Sequence, residues 1–308
     1  ITAHPMIPYF AYQRKRFFDF CLEKFSISHT FCVKGSHFAS NPCRKDEIMR
    51  STDLADELFG GSASLPAGVR LATVRHGGIT VTRVEISREG LARPRGRYVT
   101  LEMPSVSVLD ERDADVIEIC AAELSALLPP EGPVLVLGIG SRRITADALG
   151  PRTAQKILVT MGPQHPIPVQ GIRPVAAIAP GVSASTGLTL RQLAGALAAA
   201  VRPAALICVD SLCCSEGARL GRSVQFSDTG LYPAQADHAR HLDAAALGVP
   251  VIAAGIPTLM DSDEGADLVV TPRALDSVIA HGSALLAGAI NRALQPRLSV
   301  AQLCWLSG

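Results

Sequence analysis

Apolar and polar residues alternate along the chain from residue 69, and this alternation predicts its first regular elements. The runs Val69–Arg75 and Ile79–Ile86 each change between apolar and polar positions, and the pair Gly77–Gly78 separates them. A period of two with a glycine turn predicts a β-hairpin. A third strand is predicted over Tyr98–Met103, and apolar residues at every third or fourth position predict an amphipathic helix over Asp113–Leu128.

Farther along, short apolar runs alternate with longer helical segments. The predicted strands are Val134–Leu137, Val175–Ala179, Leu206–Val209, Val251–Ala254 and Leu268–Val270. The predicted helices are Ala148–Thr160, Leu190–Ala200, Asp237–Leu247 and Pro272–Leu294. Apolar strands that alternate with helices are typical of parallel βαβ units. We therefore predict an α/β fold with a doubly wound, mainly parallel sheet flanked by helices, and with an added β-hairpin region near its N-terminal side.

The first 49 residues differ in composition from the rest of the chain. They hold most of the aromatic residues and an excess of basic over acidic residues, whereas the remainder is rich in arginine, alanine and glycine. We predict that residues 1–49 form an N-terminal extension or pro-segment with little order, and that residues 50–308 form a single α/β domain. The basic and aromatic stretch Tyr12–Phe18 leaves open a nucleic-acid or membrane-surface contact within the extension.

Composition and charge exclude several classes of protein. The formal net charge of +1 provides no long-range field that would attract nucleic acid, and the longest apolar stretch is interrupted by Arg202 and Pro203, so we predict neither a nucleic-acid nor a membrane partner. No signal-peptide pattern opens the chain, which predicts a cytoplasmic location. The eight cysteines include no CxxC pair, so reduced thiols are expected rather than a disulfide framework.

The first candidate for chemistry is Asp147, which lies between a predicted strand and a predicted helix. A turn with Gly138 and Gly140 precedes it, but Arg143 stands where a dinucleotide-binding fingerprint requires a third glycine, so we predict no nicotinamide cofactor. An aspartate at such a junction is either a helix cap or a functional group at the carboxyl end of a strand.

Asp210 occupies a similar position, directly after the apolar run that ends at Val209. Because the carboxyl ends of parallel strands share one edge of a sheet, Asp147 and Asp210 are expected to meet in one crevice. Two adjacent carboxylates share a proton, so one can activate water while the other protonates or polarises an amide. Helix capping and metal ligation remain alternative roles for these acids.

Seven segments of the chain resemble the spore germination protease family, in the same order as in that family. They are Arg50–Glu57, Gly138–Pro151, Ala179–Gly187, Asp210–Leu212, Gln225–Gly230, Leu247–Thr258 and Leu268–Pro272. The resemblance implies an endopeptidase that degrades small acid-soluble DNA-protecting proteins when a spore germinates. It also implies a zymogen activated by removal of an N-terminal segment, a homo-oligomer that is a tetramer, and a place in the cytoplasm of the forespore or spore core.

The catalytic aspartates proposed for this family fall on Asp147 and Asp210. The chain also resembles, more distantly, the hydrogenase-maturation endopeptidases, which share the fold and read a bound nickel; this implies a rival, metal-dependent mechanism through the same acids. Cys213–Ser215 replaces an Ala-Ala-Arg of the germination proteases, and Ala234–Ala239 replaces a glycine-rich stretch that contains an asparagine. These departures, with Ser141 in place of an asparagine, leave open a catalytically inactive relative that binds peptide.

Four further residues are candidates for substrate binding. Ser183, Ser185 and Thr186 lie in a glycine-flanked loop that lacks the GxSxG pattern of a serine nucleophile, so we predict a flexible loop that positions a peptide. Asp228 is part of an Asp-Thr-Gly triplet, but the surrounding α/β pattern favours a turn over a pepsin-like site. His238 and His241 are interpreted as residues of a solvated helix, and no metal or cofactor is predicted.

Overall fold

The computed structural model describes residues 52–60, 64–109, 113–162, 171–232, 241–261 and 269–307. The predicted extension over residues 1–49 lies outside these ranges, so the division of the chain at residue 50 stays a prediction. Within the described ranges, no helix is both long enough and apolar enough to cross a membrane.

The described residues form strands and helices that alternate along most of the chain. The strands are β1 (Val69–His76), β2 (Ile79–Ile86), β3 (Gly96–Glu102), β4 (Val134–Gly138), β5 (Val175–Ile178), β6 (Ala205–Cys214), β7 (Ser223–Ser227), β8 (Val251–Asp261) and β9 (Val269–Val270). The helices are α1 (Ala55–Phe59), α2 (Ala114–Ser125), α3 (Leu149–Gln155), α4 (Ser183–Thr186), α5 (Leu190–Val201), α6 (Ala244–Leu247), α7 (Leu275–Leu294) and α8 (Val300–Ser307). Short 3-10 turns cover Val106–Val108, Thr145–Asp147 and Gly217–Arg219.

All the strands belong to one mixed sheet with the order β1-β2-β3-β7-β8-β6-β4-β5, and β9 pairs with β8. Strands β5, β4, β6 and β8 are parallel, as their continuous apolar runs predict. Strand β7 joins β8 in the antiparallel direction and links it to β3, β2 and β1. The α/β class is confirmed, and the predicted hairpin region continues the same sheet rather than forming a separate one.

Helices cover both faces of the parallel strands, as a doubly wound fold requires. Alternate residues of β6, such as Ile207 and Val209, pack in a core with α2, α3 and α7. We call this side of the sheet face A. The intervening residues, such as Leu206 and Cys208, pack with α5 on the opposite side, which we call face B. Helix α5 starts at a capping box in which Thr189 and Gln192 bond to each other's backbone N–H groups.

Several predicted boundaries are wrong where tertiary pairing extends or ends an element. Strand β6 continues for five residues beyond Val209, to Cys214, because β8 supplies pairing partners for this part of the strand. Strand β9 has only two residues and pairs antiparallel to β8, which contradicts the predicted parallel strand. Of the helix predicted over Asp237–Leu247, the described part starts only at Ala244, because Leu242 bonds to Leu231 and Asp243 caps the helix.

The five cysteines that the structure describes form no disulfide, in line with the expected reduced thiols. Burial raises the pKa of the Cys120 thiol and of the Cys214 thiol to about 12. Both side chains therefore remain protonated near neutral pH and act as small apolar groups.

The segment that contains α1 packs on face B and anchors the chain to the middle of the sheet. Asp56 is buried there, where it accepts a hydrogen bond from Thr100 Oγ1 at 2.7 Å and contacts Arg219 Nη2 at 2.9 Å. The other nitrogen of the same guanidinium, Nη1, lies 2.6 Å from Glu102 Oε1. Because a buried carboxylate without its partner is strongly unfavourable, this ion pair ties α1 to β3 and to the loop before β7.

We expect Arg219→Ala to lower the free energy of unfolding by about 3 kcal/mol, because it leaves the buried Asp56 side chain without its ion-pair partner. Urea denaturation measures the change. Arg70→Ala is the matched control, since the Arg70–Glu85 pair is exposed and 3.9 Å long, and its loss should change stability by less than about 0.5 kcal/mol. Equal effects of the two substitutions would contradict a structural role for the buried pair.

Candidate active site

The topology creates a crevice between the carboxyl ends of β4 and β6. After β4 the chain forms β5 on one side of it, and it then crosses to form β6 on the other side. The direction of winding thus reverses between β4 and β6. In open α/β sheets, ligands bind at such a switch point, outside the carboxyl ends of the strands.

Asp147 lies over the end of β4 and is only 3% exposed. The backbone N–H of Ser141 donates to its Oδ2 at 2.8 Å and to its backbone oxygen at 3.1 Å. Gly140 has φ +117, and a Cβ there would lie 2.9 Å from Asp147 Oδ1 and would overlap the backbone oxygen. A glycine is therefore required for this approach. The carboxylate does not cap α3, because Ala148 occupies the cap position without a side-chain bond.

The loop that carries Asp147 is held against both strands of the crevice. A Cβ on Gly150, in the first turn of α3, would overlap the backbone oxygens of Ile139 and Val209, so α3 begins directly on the ends of β4 and β6. The Ile139 N–H donates to the Val209 oxygen at 2.8 Å. On β8, the buried Thr258 Oγ1 donates to the Ala146 oxygen at 2.8 Å. The position of Asp147 is thus fixed from three strands.

Asp210 lies on β6 and is 6% exposed. The preceding residue, Val209, pairs with Gly138, the last residue of β4, so Asp210 is the first residue of β6 beyond the end of β4. Its Oδ1 accepts a hydrogen bond from the Ser211 N–H at 2.8 Å. Strand alternation directs its side chain toward face B. Asp147 thus follows β4, and Asp210 lies on the adjacent strand β6, one residue beyond the level at which β4 ends.

The loop with Ser183, Ser185 and Thr186 follows β5 and lies at the same edge of the sheet, one strand beyond β4. All three residues are exposed in the short helix α4. Ser185 Oγ and Thr186 Oγ1 donate to the Val182 oxygen at 2.9 and 3.2 Å. These two hydroxyls therefore stabilise their own loop. Ser183 is the first residue of α4.

The structure separates Asp228 from the two crevice acids. Because β7 is antiparallel to β8, with Gln225 opposite Gly255 and Ser227 opposite Ala253, the chain leaves β7 at the amino edge of the parallel strands. Asp228 accepts hydrogen bonds there from Arg97 N and Arg97 Nε, each at 2.7 Å. The predicted turn position fits this geometry, whereas contact with a peptide in the crevice does not.

Two residues near the crevice, Asp53 and Arg93, were not predicted as site residues. Asp53 bonds to both backbone groups of Cys213: its N–H donates to the Cys213 oxygen, and its Oδ2 accepts from the Cys213 N–H, both at 2.8 Å. Since β8 pairs along the other side of β6, Asp53 lies on the side that β4 leaves open beyond Gly138. The buried Arg93 contacts Asp53 Oδ1 at 3.2 Å and donates to the Tyr232 oxygen at 2.7 Å.

The only sequence signal for these contacts was the family resemblance of the segment Arg50–Glu57. The bond between Asp53 and Cys213 joins positions 160 residues apart, and no local pattern reports such a distance. The same holds for Glu57, whose carboxylate accepts bonds from the Ser215 N–H at 2.7 Å and from Ser215 Oγ at 2.6 Å.

The described histidine near this region, His241, packs its ring 4.4 Å from that of Tyr232. The Tyr232 hydroxyl donates to Asp243, and burial followed by this bond raises the pKa of Tyr232. His241 precedes helix α6 rather than lying on it, and His238 lies outside the described residues. In the part of the chain that the structure describes, no three His, Cys, Asp or Glu side chains are arranged to hold a metal ion.

Comparison with known proteins gives a consistent set of relatives. The sequence profile of germination proteases matches residues 60–264. The germination protease of Clostridium perfringens (strain SM101 / Type A) is 31% identical over 278 residues, which cover 71% of this chain and 86% of that protein. The germination protease of Clostridium tetani (strain Massachusetts / E88) is 34% identical over 231 residues, which cover 71% of each.

Among solved structures, the chain is similar to the NiFe hydrogenase maturation protease HycI from Thermococcus kodakarensis KOD1. The sequence identity is 18% and the TM-score is 0.36. The match covers 55% of this chain and 98% of that one.

Proposed function

Because the chain belongs to the germination protease family, we propose that it is an endopeptidase that hydrolyses small acid-soluble spore proteins during germination, through the pair Asp147 and Asp210. The observation that carries the proposal is the position of these two acids. Both side chains are buried beside the switch-point crevice, Asp147 just after β4 and Asp210 on the neighbouring strand β6, one residue beyond the end of β4.

The pair has the chemistry that peptide hydrolysis requires. In the proposed mechanism one of the two acids is ionised and the other is protonated. The ionised acid accepts a proton from water, and the protonated acid donates its proton to the amide nitrogen as the C–N bond breaks. Burial of both groups strengthens their electrostatic effect on the reacting atoms.

The loop over Ser183–Thr186 supports binding of an extended peptide in this mechanism. It follows β5 at the carboxyl edge of the sheet, and its residues are exposed one strand away from β4. A peptide that crosses the edge from β5 toward β6 passes the loop first and then the two acids. Asp228 is not part of this path, so we assign it no role in substrate binding.

The substitutions after the second acid are compatible with activity. Cys213 bonds to Asp53, and Ser215 bonds to Glu57, so both positions hold the segment around α1. Cys213 lies farther along β6 than Asp210, Ser215 follows the end of β6, and neither residue replaces a crevice group. This observation favours an active protease over a peptide-binding relative, while the altered stretch Ala234–Ala239 lies outside the described residues.

The proposal also covers the oligomeric state, the location and the activation of the protein. We propose a homo-oligomer, a tetramer, in the cytoplasm of the forespore or spore core. The protein is made as a zymogen, and activation removes part of residues 1–49. These features come from the family resemblance, and each stands apart from the catalytic proposal.

Incubation of the purified full chain with a small acid-soluble spore protein tests the proposal. The protein is assayed as purified and after conditions that permit processing of its N-terminal segment, with and without a chelator, and mass spectrometry identifies the fragments. We expect a few internal cleavages that the chelator does not change. Chelator-sensitive cleavage with stoichiometric bound metal would favour the metal-dependent mechanism. Binding of the substrate without fragments would favour an inactive relative.

A further inference from the structure

Ser211, the residue after Asp210, has a buried hydroxyl that the mechanism above does not use. The residue is 9% exposed, and its Oγ is shielded from solvent without a hydrogen-bond partner among the described residues. Its backbone N–H already donates to Asp210. A buried hydroxyl without a partner is unfavourable, and such groups in native proteins are commonly completed by an ordered water or a ligand.

Ser211 points to the side of the sheet that the Asp147 loop covers. Residues alternate between the two faces along β6, and the first irregularity comes after Leu212, so Ser211 shares face A with Val209. Its partner on β8 is Ile256, which also belongs to the face A core.

The loop with Asp147 spans the position of Ser211. At one end Gly150 touches the backbone at Val209, two residues before Ser211. At the other end Ala146 is bonded to Thr258, two residues beyond the β8 partner of Ser211. Because the loop is attached to the sheet on both sides of Ser211, the stretch between these contacts, which includes Asp147, runs over face A at the level of Ser211.

We infer that Ser211 Oγ and the carboxylate of Asp147 together bind one water molecule, and that this water attacks the peptide. The inference rests on the proposed function and assigns the two acids their separate roles. A buried water needs two to four polar partners, and a serine hydroxyl can both donate and accept. Ser211 is a positioning residue, because it orients the water without exchanging protons with it.

At the start of the step Asp210 carries a proton and Asp147 is ionised. Asp147 takes a proton from the water as its oxygen bonds to the scissile carbonyl carbon. Asp210 then gives its proton to the amide nitrogen as the C–N bond breaks, which leaves a carboxylic acid and an amine. Before the next cycle Asp147 releases its proton to solvent water, and Asp210 takes up a proton from solvent water.

The kinetic test compares Ser211→Ala and Ser211→Thr with the parent, in the full chain and on a spore-protein peptide. Loss of one hydrogen bond to the attacking water should lower kcat about tenfold and leave KM unchanged. The threonine variant keeps the hydroxyl and should recover most of the parental kcat. Thermal unfolding of each variant shows whether the fold is retained; we expect Ser211→Ala to unfold at the parental temperature.

Ser223→Ala is the matched control. Ser223 also carries a buried hydroxyl without a hydrogen-bond partner among the described residues, but it lies on β7, two strands from β6. Its replacement should leave kcat and KM unchanged. An equal fall in kcat for Ser223→Ala and Ser211→Ala would overturn the inference, as would a parental kcat in Ser211→Ala.

A crystallographic test needs no turnover and therefore separates this inference from the proposed function. In the parent we expect a water within hydrogen-bond distance of Ser211 Oγ and of an Asp147 carboxylate oxygen, and in Ser211→Ala we expect that water to be lost. A hydroxyl bonded only to protein atoms would overturn the inference. A parent that binds this water but cleaves no spore protein would overturn the proposed function and leave the water site intact.

Discussion

Asp147→Asn and Asp210→Asn are each expected to fold like the parent and to lose about 10²- to 10⁴-fold in kcat on a spore-protein substrate. Asparagine keeps an oxygen that can accept the Ser141 or Ser211 N–H, so the loop and the strand retain their hydrogen bonds. It cannot carry the shared proton, so proton transfer is lost. Steady-state kinetics with circular dichroism measures both effects.

Asp228→Asn provides the matched control for these two substitutions. Asp228 also belongs to a segment that resembles the germination protease family, but it lies at the opposite edge of the sheet, in an ion pair with Arg97. Its replacement should leave kcat unchanged and lower stability by less than about 1 kcal/mol, because the pair is partly exposed. Parental cleavage by either crevice variant, or a comparable loss in Asp228→Asn, would exclude the proposed acid pair.

Gly150→Ala is expected to lower the free energy of unfolding by about 3 kcal/mol. The added methyl group meets backbone oxygens of both β4 and β6, which cannot rotate away as a flexible side chain does. Helix α3 must therefore move off the strand ends. Since only Ala148 separates Asp147 from this helix, cleavage should be lost together with stability. Urea denaturation and the cleavage assay measure the two losses.

Gly195→Ala is the control for the substitution itself. Gly195 lies in α5, and a Cβ there meets no atom within 4 Å. Alanine should stabilise the protein by about 0.5 to 1 kcal/mol, because it lowers the conformational entropy of the unfolded chain and favours the helix. A similar loss of stability in both variants would show that the contact at Gly150 is not the cause.

Local sequence patterns predicted the elements that pack against segments close to them in the chain. The hairpin of β1 and β2 follows from alternation and from Gly77, which has φ +58 at the turn. Strand β4 and helix α5 follow from a continuous apolar run and from an apolar helical stripe. In each case the burial pattern along a few residues contains the necessary information.

The same patterns failed where pairing with a distant strand decided the structure. The run Ser223–Ser227 contains three polar residues, yet it forms β7 because β3 and β8 flank it and satisfy its backbone. The acid at position 228 then leaves the sheet at the amino edge. The Asp-Thr-Gly triplet by itself does not show on which edge of the sheet Asp228 lies. The direction of β7 places it away from the crevice.

The sequence by itself determined the alternation of strands and helices, and therefore the α/β class and the positions of Asp147 and Asp210 after apolar strand runs. Their family resemblance added the chemistry expected of them. Only the tertiary structure decided that β4 and β6 are neighbours and that the α1 segment lies beside the crevice at Cys213. It also decided that Asp228 lies away from the crevice. The reason is physical: local periodicity records which face of an element is buried, whereas the partner that buries it is selected by pairing and packing across the whole chain.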